Sequence, residues 1–269
     1  MGYLRFVALG DSQTEGLNDL DPEGVPIGWA DRLAHRLATT TSPGLRYANL
    51  AVRRCRAAHV REVQLPAALA LEPDLATVAV GMNDVLRHDC DLDAVTADIE
   101  ATVGALCESG CTVAMMTFPD IGAMIPLMGW LRPRERRLNA AVADIARLYD
   151  APLLDIFPLE MCGDTRVWSH DRIHGSAYGH QRIAEGMADL LGVPDADPDW
   201  ARCDPAYLPG RVTALLRDVR WITGYMAPWL LGQLRPARPG EAGKNRQNTE
   251  NQNAEAARAK RPELLPVIP

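Results

Sequence analysis

The sequence predicts an α/β fold, a parallel sheet wrapped on both faces by helices. Three observations carry it. Short apolar, often β-branched runs alternate with helical periodicity from the N-terminus to about residue 191; each run is too short for a helix; and most stop at glycine or polar residues. The order strand, helix, strand repeats through five strands, which implies right-handed crossovers and a site along the carboxyl edge of the sheet.

The first strand is Phe6-Val7-Ala8-Leu9, ended by Gly10 in a turn that lifts Ser12 off its carboxyl end. Trp29, Leu33 and Leu37 then recur at helical spacing, and Arg46-Tyr47-Ala48-Asn49-Leu50 reads as the second strand. Arg56 to Leu71 reads as a helix closed by Pro73, and Leu75 to Val80 as a third strand ending at Gly81. Val95, Ile99, Val103 and Leu106 place a helix over Leu92 to Ser109, which Gly110 caps before a fourth strand, Thr112 to Thr117. Leu138 to Tyr149 and Pro152-Leu153-Leu154-Asp155 supply another helix and the fifth strand, and Ala177 to Leu191 a last helix.

Two stretches interrupt the alternation. The connection from Asp120 to Arg137 carries Ile121, Met124, Ile125, Leu127, Met128, Trp130 and Leu131, too apolar for an idle loop. It reads either as a short helix packed on the core or as a lid or acyl pocket over the carboxyl edge, walled by Met128 and Trp130. After Pro194 to Pro198, a linker, Arg211 to Gln233 returns to helical register with Val212, Leu215, Leu216, Val219, Ile222, Met226, Trp229, Leu230 and Leu234, and Pro228 should kink or split it. We therefore expect a domain over 1–195, a helical appendage over 196–235 that packs back on it or else makes a membrane-surface or dimer contact, and a disordered tail over 236–269, where bulky apolar residues are few apart from Leu264 to Ile268, which could dock.

The composition is that of a globular protein, with 47% hydrophobic and 23% charged residues. A formal charge of −7 argues against a nucleic-acid partner, and the basic clusters Arg53 to Arg56 and Arg132 to Arg137 read first as solvated surface. No apolar run is long enough to span a bilayer, and the N-terminus lacks the basic, apolar and small-residue succession of a signal peptide, so the expected location is cytoplasmic. The six cysteines are scattered without metal-ligand spacing, which fits free thiols in a reducing compartment.

A serine after a strand commonly just caps a helix, so Ser12 acquires chemical meaning only with a base and an oxyanion site. Asp171-Arg172-Ile173-His174 offers both acid and base, about one turn apart, so that the carboxylate can reach imidazole Nδ1 with Nε2 outward toward Ser12. Gly81-Met82-Asn83-Asp84, after the third strand, brings an amide donor to the same edge. Ser12, Asn83 and His174 follow different strands of one sheet, and coincidence explains that poorly. Trp168, just upstream of Asp171, reads either as packing or as a pocket wall. No GxGxxG or phosphate-loop spacing follows the first strand.

Gly10-Asp11-Ser12 with Gly16, Asn49 in Tyr47-Ala48-Asn49-Leu50-Ala51, Gly81-Met82-Asn83-Asp84 and Asp171-Arg172-Ile173-His174 resemble, in order and spacing, the blocks of the SGNH/GDSL hydrolase family, over about Leu4 to Leu191. The resemblance implies a three-layer α/β/α, flavodoxin-like fold and hydrolysis of esters, thioesters or acetylated sugars without metal or cofactor. It makes Ser12 the nucleophile, His174 the general base and then acid, Asp171 its orienting partner, and Asn83 with the Ser12 backbone N–H the oxyanion donors. The family's third donor is a glycine N–H five residues after the asparagine; here Arg54 stands there. Should that position need positive φ, Arg54 would cost about 1–2 kcal/mol of strain.

The expected activity is a serine ester hydrolase acting on a small-molecule or lipid-like ester, with kcat/KM rising through about pH 6–7 because the base must be neutral. A binding or scaffold protein with an impaired site is the alternative that Arg54 and the tail motivate, and acyl transfer to another acceptor would use the same residues.

Overall fold

Alternate residues of the first strand feed two separate cores. In β1 (Arg5–Gly10), Val7 and Leu9 face one apolar cluster while Phe6 and Ala8 face another on the opposite side of the sheet. A strand buried on both faces has no polar side, which is why it reads as an unbroken apolar run. The structure, a computed structural model, describes residues 2–202, 211–227 and 264–267.

After β1, Ser12 opens the short α1 (Ser12–Glu15), followed by α2 (Trp29–Thr40) and β2 (Arg46–Asn49). The helix expected over 56–71 is a continuous helical stretch with a π turn inside it: α3 (Ala57–His59), Val60–Gln64 in π geometry, and α4 (Leu65–Ala70). Then come β3 (Leu75–Ala79), α5 (Met82–Val85), α6 (Leu92–Glu108) and β4 (Thr112–Met116). The apolar connection forms α7 (Ile121–Met124) and a 3-10 turn, Pro126–Leu131, that runs straight into α8 (Arg132–Leu148). β5 (Leu153–Leu154), a 3-10 turn at Glu160–Gly163 and α9 (Ala177–Leu190) complete the domain. α8 begins six residues before the expected Leu138, because Pro133 suits a helix's first turn and the arginines there mask the apolar period.

The sheet order is β5-β4-β3-β1-β2, all parallel, the flavodoxin-like arrangement. A sixth strand, β6 (Leu265–Pro266), pairs antiparallel with β2. The disordered tail expected over 236–269 is thus replaced at 264–267 by ordered edge structure; the rest of that span lies outside the described residues. α2 and α9 pack on one face, with Trp29, Leu33, Leu37, Ile183 and Met187 buried. The helical stretch from α3 to α4, α6 and α8 cover the other, through Val60, Ile99, Val103, Leu138 and Val142. Each such side chain taken fully out of water contributes about 1.5–3 kcal/mol before entropy is counted.

Of the appendage, α10 (Arg211–Trp221) and a π turn, Ile222–Met226, are described. The kink expected at Pro228 falls outside the described residues. α10 touches the domain through Trp221, which is buried, while Val212, Leu216, Val219 and Ile222 are exposed.

Strand order reverses between β1 and β3, which opens a crevice at their carboxyl ends. Ser12 and Asn83 leave the sheet there.

Candidate active site

Where β1 ends, its backbone hydrogen bonds pass to a side chain. Gly10 N–H donates to Gln64 Oε1 and Gly10 C=O accepts from Gln64 Nε2, both at 2.9 Å, so the turn before Ser12 is held from the π-helical segment. Asp11 then caps α1, accepting from Gln13 N–H at 3.1 Å. As first residue of that helix, Ser12 presents a backbone N–H with no intrahelical acceptor. Gly16 ends α1 at φ +86°, and a Cβ there would lie 2.4 Å from Gly28 N, so only glycine lets the chain turn so close to α2.

The Asp171–His174 turn is pinned by Ser169 N–H donating to His174 C=O (2.8 Å) and Arg172 N–H donating to Ser169 C=O (3.0 Å), with Arg172 in the left-handed region at φ +58°. His174 Nδ1 lies 2.6 Å from Asp171 Oδ2 and its Nε2 2.8 Å from Ser12 Oγ. An ionised carboxylate only accepts, so Nδ1 carries the ring proton and Nε2 is the acceptor facing the serine. Burial alone would raise the Asp171 carboxyl, but hydrogen bonds from the His174 ring and from the His174 and Ile173 N–H groups hold it well below the usual carboxylate range. It therefore stays ionised beside the imidazole.

Residues that sequence reasoning passed over steady this arrangement. Asn18 Nδ2 donates to Asp171 Oδ2 (2.7 Å) and to Ser169 Oγ (3.2 Å), and Ser169 Oγ donates to Asp171 Oδ1 (2.8 Å). Gln13 spans the two halves of the site: its Nε2 donates to Ile173 C=O at 2.6 Å and its Oε1 accepts from Gly175 N–H at 3.2 Å. Gln13 adjoins Ser12 and Ser169 lies two residues before Asp171, so both were visible to that extent; nothing in the sequence marked Asn18.

Asn83 sits in α5 with both amide hydrogens engaged, one by Cys55 C=O at 2.9 Å and one by Asp11 Oδ2 at 3.2 Å. Burial pushes Asp11 and Asp84 up to about 6 each. Arg54 takes φ +65°, the left-handed conformation a glycine adopts without cost. Its neighbour Arg53, read from sequence as solvated surface, is tied to α1: buried Glu15 accepts from Arg53 N–H (2.8 Å) and Nε (3.1 Å).

Three predicted pocket residues land differently. Met128 is 4% exposed and belongs to the main core with Ile125, Leu131 and Leu138, while Trp130 is 54% exposed. Trp168 donates to Cys162 C=O at 2.7 Å and lines a cleft of about 400 Å³ beside Asp171, together with Ser169, Arg172 and Trp221; neither Met128 nor Trp130 lines it. His180, passed over as a site residue, is a core histidine whose Nδ1 accepts from Trp29 N–H and which burial lowers to about 4.

The serine, amide and acid–base blocks thus fall within one matched stretch: the GDSL-like Lipase/Acylhydrolase family matches residues 8–182. The chain belongs to that family. Its GDSL fold is shared with the acetylxylan esterase Axe2 from Geobacillus stearothermophilus (19% identity, TM-score 0.59, 75% of this chain and 97% of that one). It is shared too with a GDSL-like lipase, named as putative, from Parabacteroides merdae (16%, 0.61, 71% and 96%) and with esterase EstA from Pseudoalteromonas sp. (19%, 0.55, 70% and 96%). No curated protein matches the chain. Membership places this GDSL chain among ester hydrolases, and among its described residues no helix is long and apolar enough to cross a membrane.

Proposed function

We propose that the protein hydrolyses carboxylic esters through an acyl-enzyme, with Ser12 as nucleophile, His174 as base and Asp171 as its orienting partner. The observation that carries this reading is the unbroken chain Ser12 Oγ, His174 Nε2, His174 Nδ1, Asp171 Oδ2, at 2.8 and 2.6 Å. Ser12 Oγ attacks the ester carbonyl carbon as its proton passes to His174 Nε2; the imidazolium then gives that proton to the departing alkoxide, which leaves as alcohol. Water enters, loses a proton to His174 and attacks the acyl carbon; as the acid leaves, the imidazolium returns that proton to Ser12 Oγ.

The oxyanion is received by the Ser12 N–H, the Arg54 N–H and Asn83 Nδ2. For Asn83 the 3.2 Å contact to Asp11 is the one that gives way, since the shorter bond to Cys55 C=O fixes the amide plane. The acyl group is short. The apolar side of the 121–131 connection, through Ile121, Ile125, Met128 and Leu131, is spent on the core, which leaves that connection little apolar surface to wall a long chain. In this reading the substrate is a small soluble ester and the protein works in the cytoplasm without a metal.

Wild type and Ser12→Ala, assayed side by side on aryl esters of increasing acyl length, test the proposal. Turnover that falls at least about 10³-fold in the variant is expected, with acetyl and butyryl esters preferred over octanoyl and longer. Equal activity in both proteins, or no labelling of Ser12 by a fluorophosphonate, would sink the mechanism, and a preference for long chains would sink the short acyl pocket.

A further inference from the structure

The turn that carries Asp171 is held from outside the family-matched segment. Trp221, in the last turn of α10, donates its indole Nε1–H to the backbone C=O of Asp171 at 2.7 Å, and it is 5% exposed. Three residues earlier on the same helix, Asp218 Oδ1 lies 2.6 Å from Arg172 Nη1, and the Arg172 guanidinium stands over the Trp221 ring at 5.5 Å. Two adjacent residues of the turn, Asp171 and Arg172, are therefore gripped by one helix turn, and Arg172 is the one whose backbone is held left-handed. The contacts are of unlike kinds: a neutral hydrogen bond to the backbone, an ion pair, and a cation–π contact. A helix that merely covered apolar surface would not need its polar groups aimed there. Among the described apolar side chains of α10, Val212, Leu216 and Val219 face solvent.

We propose that Trp221 and Asp218 are positioning residues that set the rotation of the Asp171–His174 turn, so that α10 tunes the hydrogen bond between Asp171 Oδ2 and His174 Nδ1 and through it the approach of Nε2 to Ser12. This rests on the assignment of Asp171 and His174 made above. Asp171 Oδ1 already accepts from Ser169 Oγ and from the Ile173 and His174 N–H groups, which fix the carboxylate relative to its own turn. Gln13 ties the Ile173–Gly175 end of the turn to α1, and α10 adds a separate restraint at its other end, on Asp171 and Arg172.

The experiment compares wild type with Trp221→Phe and Asp218→Asn in the full chain, reading the downfield proton resonance of His174 Nδ1–H, assigned by its loss in His174→Ala, and kcat and KM on a short aryl ester. Both variants are expected to shift or broaden that resonance and to lower kcat about 5- to 20-fold with KM within twofold. A purely packing role would lower stability and leave the resonance where it was. Unchanged resonance and unchanged kcat in both variants, or no such resonance in wild type, overturns the inference. Should Trp221→Phe fail to fold, Asp218→Asn, at a half-exposed side chain, decides alone. A resonance that moves in the variants of a protein that turns over no ester would keep this inference and defeat the proposed function, so the two fail separately.

Discussion

In its proposed oxyanion role Arg54 would supply only its backbone N–H, from a conformation that glycine adopts without strain. At φ +65° an L-residue carries strain of about 1–2 kcal/mol, which glycine would relieve, while glycine also loosens the unfolded chain by about 0.4–1 kcal/mol. The two nearly offset, so Arg54→Gly is expected to change unfolding free energy by no more than about 1 kcal/mol in urea titration. If the N–H alone serves the oxyanion, kcat should stay within threefold; a larger fall would mean that the guanidinium takes part. Asn18 allows a cleaner subtraction, because it too is left-handed, at φ +72°, and Asn18→Gly removes the amide without moving the backbone. The bond lost is the 2.7 Å one to the Asp171 carboxylate. A hydrogen bond to a charged group contributes about 1.5–3 kcal/mol, part of which the remaining donors recover, so steady-state kinetics should show kcat lower by about tenfold and KM little changed.

Among the elements, the 121–131 connection is organised by a buried acid. Glu135, in the first turn of α8, is 0% exposed; its Oε1 accepts from Ile121 N–H at 3.0 Å, and Oε2 has no hydrogen-bond partner among the described residues. Burial raises it to about 7; Asp120 adds to the rise, and the Ile121 N–H, Arg132 and Arg136 oppose it. The sign follows from linkage: a carboxyl raised in the fold favours folding fully below its unfolded value of about 4.3, and loses that contribution as pH climbs through about 7. Glu135→Gln cannot ionise, so relative to wild type it should gain about 2–4 kcal/mol between pH 4 and pH 8. Urea midpoints at both pH values check this, and a difference that does not change with pH would refute it. This anchor was invisible in sequence because a glutamate among arginines reads as surface. The strands were legible because burial on both faces makes them uniformly apolar, and so was the meeting of Ser12, Asp171 and His174 at one edge of the sheet, since the chemistry proposed for them allows few residue types at those turns. Asn18 and Trp221 were not: each meets Asp171 across 153 and 50 residues, and no local period records such a contact.

At the scale of the whole molecule, both chain segments described beyond residue 202 return to the family-matched domain, α10 to the Asp171–His174 turn and β6 to the edge of the sheet. Without β6 the sheet would end on β2, offering a row of unpaired backbone groups to other chains. β6 closes it with register Arg46 opposite Pro266 and Tyr47 opposite Leu265, with Val267 N–H donating to Leu45 C=O (3.1 Å) and Arg46 Nη2 donating to Leu264 C=O (2.9 Å). Its own outer edge is two residues long and ends in a proline, which offers no N–H to a further strand. Leu264 is the apolar peg, buried in the main core cluster. Leu264→Asp should therefore lower unfolding free energy by about 2 kcal/mol or more and make light scattering rise with protein concentration. The carboxyl ends of β1 and β3 lie on the far side of β2 from this edge, so kcat/KM of the folded variant on a short aryl ester should match wild type. Stability and scattering unchanged would mean that β6 rests on the edge without securing it. A fall in kcat/KM at full folding would mean that the edge and the site are coupled through β2, which carries the Asn49 amide that donates to Thr14 C=O in α1 at 2.8 Å.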